Sequence, residues 1–295
     1  MAEAPFCDGL GFPEGPCFDE QGRLHVVDVR GGTVSRVSPA GRDILATTHG
    51  GPNGAAFGPD GNLYVVNNGG LLWCDDGHAY GSAEGNEGGW VDRIRPDGTV
   101  ERLYTECAGE PLHACNDIAF DSDGNFYFTD PEHGTRAHRP PGYVCWASLD
   151  GREIRRVAEG LLLPNGIGIT ADGRHLIVVE TLPRTLWRFD IDGPGQLSNG
   201  RPLAQLPDGC LPDGFAIDSR GRIITCAVGG GGVFVFRPDG ALERHIEMTD
   251  ADTTNCAFGG PQFCTLYFTQ GVQGRVATLE WDVPGIPLFS TSLRG

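Results

Sequence analysis

Short apolar runs and turn sequences alternate along the whole chain, and no stretch of useful length holds a helical period. The clearest runs are residues 24–27, 63–66, 126–128, 176–179, 223–225 and 266–268. They are rich in β-branched and aromatic residues and bounded by turns, so they predict buried strands. Most follow a turn such as Pro59-Asp60-Gly61 or Ser122-Asp123-Gly124, where glycine supplies the positive φ that a tight turn requires. Further apolar segments at 91–94, 186–189 and 233–236 each precede another turn. The predicted unit is therefore strand, turn, strand, loop, strand, turn, strand, a four-stranded meander.

This unit repeats six times. Pro13-Glu14-Gly15, Pro52-Asn53-Gly54, Cys115-Asn116-Asp117, Pro164-Asn165-Gly166, Pro212-Asp213-Gly214 and Thr254-Asn255-Cys256 open successive copies. The middle residue of each triplet is here termed the anchor. Eight positions beyond it stands Gly22, Gly61, Gly124, Gly173 or Gly221, while the sixth copy has Phe263. Anchors recur at intervals of 39, 63, 49, 48 and 42 residues, close to the length of a propeller blade. The expected fold is all-β: one domain over 1–295, a six-bladed β-propeller of four-stranded antiparallel blades around a central channel. The 63-residue interval predicts an insertion at 75–89 in blade two. A second long loop, 131–142, carries His133, Arg136, His138 and Arg139. Residues 1–10 are expected to supply the outer strand of blade six and close the ring.

Composition narrows the partners. The formal charge is −17, which argues against a nucleic-acid groove or a polybasic membrane surface. All 22 basic residues are arginine, so a lysine Schiff base, a pyridoxal-phosphate lysine and a Walker lysine are excluded. No apolar stretch is long enough for a transmembrane helix, and residues 1–10 lack the pattern of a signal peptide. The ten cysteines show no C-x-x-C spacing and several sit within or beside apolar runs, so they read as reduced, core-packed thiols of a cytoplasmic protein. Residues 229–232 are a glycine run with no Rossmann or P-loop context, and no G-x-S-x-G supports a serine triad.

Closure of a propeller brings equivalent residues of successive blades around one axis. Glu14, Asn53, Asn116, Asn165, Asp213 and Asn255 should then converge at one mouth of the channel, and every one is a carboxylate or a carboxamide. Each triplet taken alone is an ordinary turn sequence. As a set they crowd polar groups at one point, which costs desolvation unless water or a cation is held there. Two acids facing each other also repel unless positive charge lies between them. An all-oxygen donor set suits one divalent metal ion, Ca²⁺ first and then Mg²⁺ or Mn²⁺, while Zn²⁺ fits less well without His or Cys.

The same residues carry a family resemblance. Pro13-Glu14-Gly15-Pro16, Asn116-Asp117, residues 127–131 (Tyr-Phe-Thr-Asp-Pro), residues 163–166 (Leu-Pro-Asn-Gly), Pro212-Asp213-Gly214 and residues 255–261 (Asn-Cys-Ala-Phe-Gly-Gly-Pro) stand in order over nearly the whole chain. Together they resemble the SMP-30/gluconolactonase/LRE-like family of six-bladed propeller hydrolases. The resemblance implies a single catalytic divalent metal in the channel, with Glu14, Asn165 and Asp213 as ligands and Asn116 as a ligand or substrate contact. It also implies lactone hydrolysis as the commonest activity, with phosphotriester hydrolysis in some relatives. A channel metal can polarise a lactone carbonyl and acidify a bound water. Asp213 is the candidate general base or nucleophile, although ligation and proton abstraction compete for it. Sugar-lactone members often carry arginine two residues before the Asn116 position, where this chain has Ala114, and His113 is the candidate substitute or acid/base.

Three functions follow: a lactonase acting on a small-molecule lactone or ester, an organophosphate or other ester hydrolase on the same site, and a non-catalytic propeller that presents loops to a protein. Such a chain is expected as a monomer or small homo-oligomer. Trp73, Trp90 and Trp146 with Tyr80 either pack in the core, the favoured reading, or line the mouth, and Asp130 reads as support for the Asn116 loop or as a strand-end cap.

Overall fold

The computed structural model describes residues 3–75, 77, 79–86, 88–132 and 140–286. Six four-stranded antiparallel sheets account for the architecture. Their innermost strands are Pro13–Phe18, Pro52–Phe57, Ile118–Phe120, Pro164–Ile169, Leu211–Ile217 and Thr253–Gly259. Each inner strand packs beside the next, and the sixth packs beside the first, so the sheets form a closed six-bladed propeller.

The run-and-turn pattern has a packing cause. The second strand of a blade is covered on both sides, and Leu24–Asp28, Leu63–Asn67 and Phe126–Asp130 are buried at every residue. Alternate side chains leave opposite faces. Val65 therefore joins a cluster with Val27 and Val34 of blade one, while Val66 joins one with Phe120 and Phe128 of blade three. Six such clusters lie between successive blades. The apolar core is thus divided among the blade interfaces and the axis stays free for a channel.

Blade six is closed by the N-terminus, as the sequence predicted. Ala4–Cys7 pairs with Arg275–Glu280, with Ala4 opposite Thr278. The Glu3 carboxylate fastens this strand by accepting from Thr249 N–H (3.0 Å), Thr249 Oγ1 (2.8 Å), Gln270 Nε2 (3.0 Å) and Arg275 (2.6 Å).

The 63-residue interval has two sources rather than one. A hairpin of Leu71–Trp73 and Ala79–Ser82 leaves blade two after its second strand, and a short ladder of Glu106–Cys107 with Glu110–Pro111 precedes blade three. Residues 229–232 form a loop between Ile223–Val228 and Val233–Phe236. The charged part of the 131–142 loop, with His133, Arg136, His138 and Arg139, lies outside the described residues.

Candidate functional site

The anchors stand where each inner strand enters the channel. In five blades the ladder to the second strand slips at this point, between Glu14 and Cys17, Pro52 and Ala55, Pro164 and Ile167, Pro212 and Phe215, and Thr253 and Asn255. Such bulges bend a strand and re-aim its side chains. The residue after the anchor is glycine in four blades because neighbouring inner strands nearly touch there. A Cβ on Gly54 would stand 2.5 Å from the Asp117 Cα, and one on Gly166 2.5 Å from the Asp213 carbonyl oxygen. The glycines of the triplets therefore serve packing around the axis, which leaves the anchors as the variable chemistry.

Blade three breaks this rule with Asp117, whose carboxylate enters the channel. It accepts from Ile118 N–H (2.9 Å) and Ile167 N–H (3.3 Å), the latter across the blade boundary. Asn255 links it to Glu14: the Asn255 amide interacts with Asp117 and donates from Nδ2 to Glu14 Oε2 (3.0 Å), which also accepts from Gly15 N–H (2.7 Å). Asn165 hydrogen-bonds Asp213. Glu14, Asp117, Asn165, Asp213 and Asn255 are thus brought together. Asn116 holds its place through the backbone, donating N–H to the Thr129 carbonyl (2.9 Å), with its own carbonyl packed against Gly54. The Asn53 carbonyl packs against Gly15 in the same way.

Three carboxylates in one channel perturb one another. Burial, then the Asp117 charge, push Glu14 up to about 8, and burial pushes Asp117 up to about 7. Burial, followed by the Glu14 charge, pushes Asp213 well above the ordinary carboxylate range. Among the described residues, no arginine or histidine forms an ion pair with Glu14, Asp117 or Asp213. The charge must be met by protons or by a cation from outside the chain. The donors are oxygens of carboxylates and carboxamides, which fits a hard divalent ion. The set relies on amides: among the described residues, no three His, Cys, Asp or Glu side chains group as metal ligands by themselves.

Asp117 is the residue of this centre that sequence reading did not place in the ring; Asn255 was placed there only as an anchor. Asp117 had a signal: it is the single acidic side chain at the position after an anchor, where four other blades have glycine.

His113 precedes the Asn116 loop and is held by two acids. Nδ1 lies 3.2 Å from Asp130 Oδ2 and Nε2 lies 3.0 Å from Glu132 Oε1. The hydrogen bond to Asp130 raises its pKa above the usual histidine value, against a smaller opposing effect of burial. Its ring stacks on Tyr143 (5.8 Å between centroids), whose face carries the Arg156 guanidinium (4.0 Å). Asp130 also accepts from the N–H groups of His113 and Ala114 (both 2.9 Å), so it braces the loop as expected.

The aromatic residues divide between the two readings, core and mouth. Trp146 is buried in blade three, donating from Nε1 to Asp121 (3.0 Å) under the Arg155 guanidinium, and belongs to the cluster between blades three and four. Trp90 donates to Asp92 (2.7 Å) and is covered by Arg102. Trp73 does reach the anchor end, packing 5.0 Å from the ring of Phe12, which directly precedes Pro13-Glu14. The Tyr80 side chain lies outside the described residues. All ten cysteines are free thiols, seven of them buried. Among the described residues, no helix is long and apolar enough to cross a membrane.

This geometry can be set beside known proteins. The family model for an SMP-30/gluconolactonase/LRE-like region matches residues 12–271. A diisopropyl-fluorophosphatase of Loligo vulgaris is 28% identical over 95% of this chain and 92% of its own length. A lactonase of Staphylococcus saprophyticus is 30% identical over 81% of this chain and 70% of its own. Among solved structures, a gluconolactonase from Xanthomonas campestris matches with a TM-score of 0.75 and 27% identity, covering 92% of this chain and 87% of that one. The matched region spans all six anchors, and the chain belongs to the SMP-30/gluconolactonase/LRE-like family.

Proposed function

We propose that this protein, acting as one six-bladed domain, is a divalent-metal-dependent hydrolase that opens the ester bond of a lactone. One observation carries the reading: the channel concentrates three carboxylates whose pKa values burial raises, and among the described residues none has a cationic side chain as partner. Glu14, Asn116, Asn165 and Asp213 would hold the ion, Ca²⁺ first by the hardness of the donors, with Mg²⁺, Mn²⁺ or Zn²⁺ as the alternatives to test. Bound there, a divalent cation supplies Lewis acidity for the ester carbonyl and for the attacking water.

The chain's own residues divide the remaining work. Asp213, partly accessible at the channel mouth, takes the proton of the attacking water as general base. Asn165, hydrogen-bonded to Asp213, fixes the carboxylate that does so. Asn255 and the Gly15 N–H hold the Glu14 carboxylate in place. Asn116 steadies substrate or ion beside them. His113, clamped by Asp130 and Glu132, has its pKa raised by the Asp130 hydrogen bond and contacts the ring oxygens of the lactone or the leaving alkoxide. The net charge of −17 supports a small neutral substrate rather than nucleic acid or a membrane surface.

The likeness to the diisopropyl-fluorophosphatase of Loligo vulgaris over nearly its full length favours a second reading, phosphotriester hydrolysis at the same residues. Acid release from aliphatic, aromatic and sugar lactones and from a phosphotriester, measured by pH-stat on chelator-treated and metal-reloaded protein, separates the two. Metal-restored lactone opening is the expected result. Turnover of every lactone that is indifferent to chelation would overturn the proposal.

A further inference from the structure

The half of the channel beyond the anchors is chemically unlike the half that holds them. Past Asp117 and Asn255 it opens into a cavity of about 160 Å³ whose wall is formed largely by Phe18, Phe120, Ile169, Phe215, Ile217 and Phe258. Glu14, Asn53, Asn116, Asn165 and Asp213 take no part in this wall. The polar groups of the wall already have partners: Asn255 bonds Glu14 and Cys256 N–H, Asp117 bonds two backbone N–H groups, and Asp19 accepts from the N–H groups of Gln21 and Arg23 and from Arg23 Nε. A polar ligand would therefore find little to bond there. An engineered cavity of about 150 Å³ with a comparable Leu, Ile and Phe wall stays dry and takes up benzene.

A second observation concerns the rim. Eight residues beyond the anchor, five blades place a glycine with φ between 70° and 84°. In blade six the same position is Phe263, which adopts φ 57° beside Gln262 at φ 60°. A left-handed conformation is unfavourable for a bulky residue, and a turn alone would be better served by glycine. Here the backbone is held by Gly285 N–H donating to the Phe263 carbonyl (2.8 Å), and the ring lines the cavity while remaining 41% exposed. Blade six keeps an aromatic ring at the cavity mouth at the expense of backbone ease.

We propose that this distal half of the channel is a second binding site, separate from the anchor ring, for a small uncharged aromatic molecule of benzene size, with Phe263 as its rim. Five phenylalanines of the wall and rim offer edge and face contacts to such a ring. The inference does not depend on the reaction proposed above.

The probe is fluorobenzene, titrated against the full chain and followed by ¹⁹F NMR, with Tm measured in parallel. Saturable binding with Kd on the order of 1 mM is expected for the native protein. Phe263→Gly should weaken it about tenfold while leaving Tm unchanged or raised, because the substitution removes the rim and relieves the backbone. A role confined to the turn would move Tm and leave the fluorobenzene curve alone. Ala216→Phe, which fills the cavity, should abolish binding, and Ala257→Leu on the next blade asks the same question if that variant does not fold. Asp213→Asn should bind fluorobenzene as the native protein does. Non-saturable partitioning, or undiminished affinity in a folded cavity-filling variant, overturns the proposal.

Discussion

The two halves of the channel are built from the same six strands, yet one is lined by acids and amides and the other by hydrocarbon. At the distal end, Ile169, Phe215 and Phe258 belong to the apolar clusters between blades, and the wall is mostly apolar, with Asp19, Asp117 and Asn255 as its polar members. Propeller closure therefore does not require a polar lining. At the anchor end the same backbone carries Glu14, Asp117 and Asp213, each shifted upward by burial. Like charges held together at a position where the fold would accept hydrocarbon indicate a site kept for chemistry.

The largest effect that would break this contrast is catalytic. Asp213→Asn should lower kcat/KM for the best lactone by about 10²–10⁴, the usual range for loss of a general base, with the circular dichroism spectrum unchanged. Full activity in this variant would reduce the anchor ring to architecture.

The next effect is electrostatic. In chelator-stripped protein, native Glu14 titrates at about 8 against an ordinary value of 4.5, so the folded state holds its proton where the unfolded state has released it. A raised carboxyl pKa gives stability that is fully present below the unfolded value and lost as pH rises through the folded one. Stability of the stripped protein should thus fall from about pH 4.5 to about 8, by up to about 1.4 kcal/mol per pH unit for each carboxyl that must ionise. Denaturant titrations across that window read it, and saturating Ca²⁺ should flatten the decline. A stripped protein that gains stability over the same window would contradict the reading of the three acids.

A smaller effect tests the packing that brings the anchors together. Gly54→Ala places a methyl group against the Asp117 backbone and should cost about 1–3 kcal/mol in thermal unfolding. Smaller still, Glu3→Gln keeps the acceptor for Thr249 but loses the charged pair with Arg275. It should cost about 1 kcal/mol and loosen blade six, seen as faster hydrogen exchange in Arg275–Glu280.

Blade number, strand order and N-terminal closure were legible in the sequence because each rests on a local signal. Apolar runs mark strands covered on both faces, glycines mark the turns, and the anchor triplets mark the bulges. The centre was legible as far as the repeat extends, which gives the acids and amides at equivalent positions. Asp117 was harder to see because its importance lies in departing from the repeat. The bond from Asn255 to Glu14 joins residues 241 apart and has no local trace. Core packing of Trp146 was legible, but its partner was not: strand alternation does not tell which acceptor an indole N–H will find, and here it is Asp121 inside the blade.

Calorimetric titration of Ca²⁺ into chelator-stripped protein, with Glu14→Gln and Asp213→Asn run alongside, addresses the ring most directly. One equivalent should bind the native chain, and each variant should lose at least about tenfold in affinity. Absence of binding to the native chain, or equal affinity in both variants, would show that the channel carboxylates do not hold a cation.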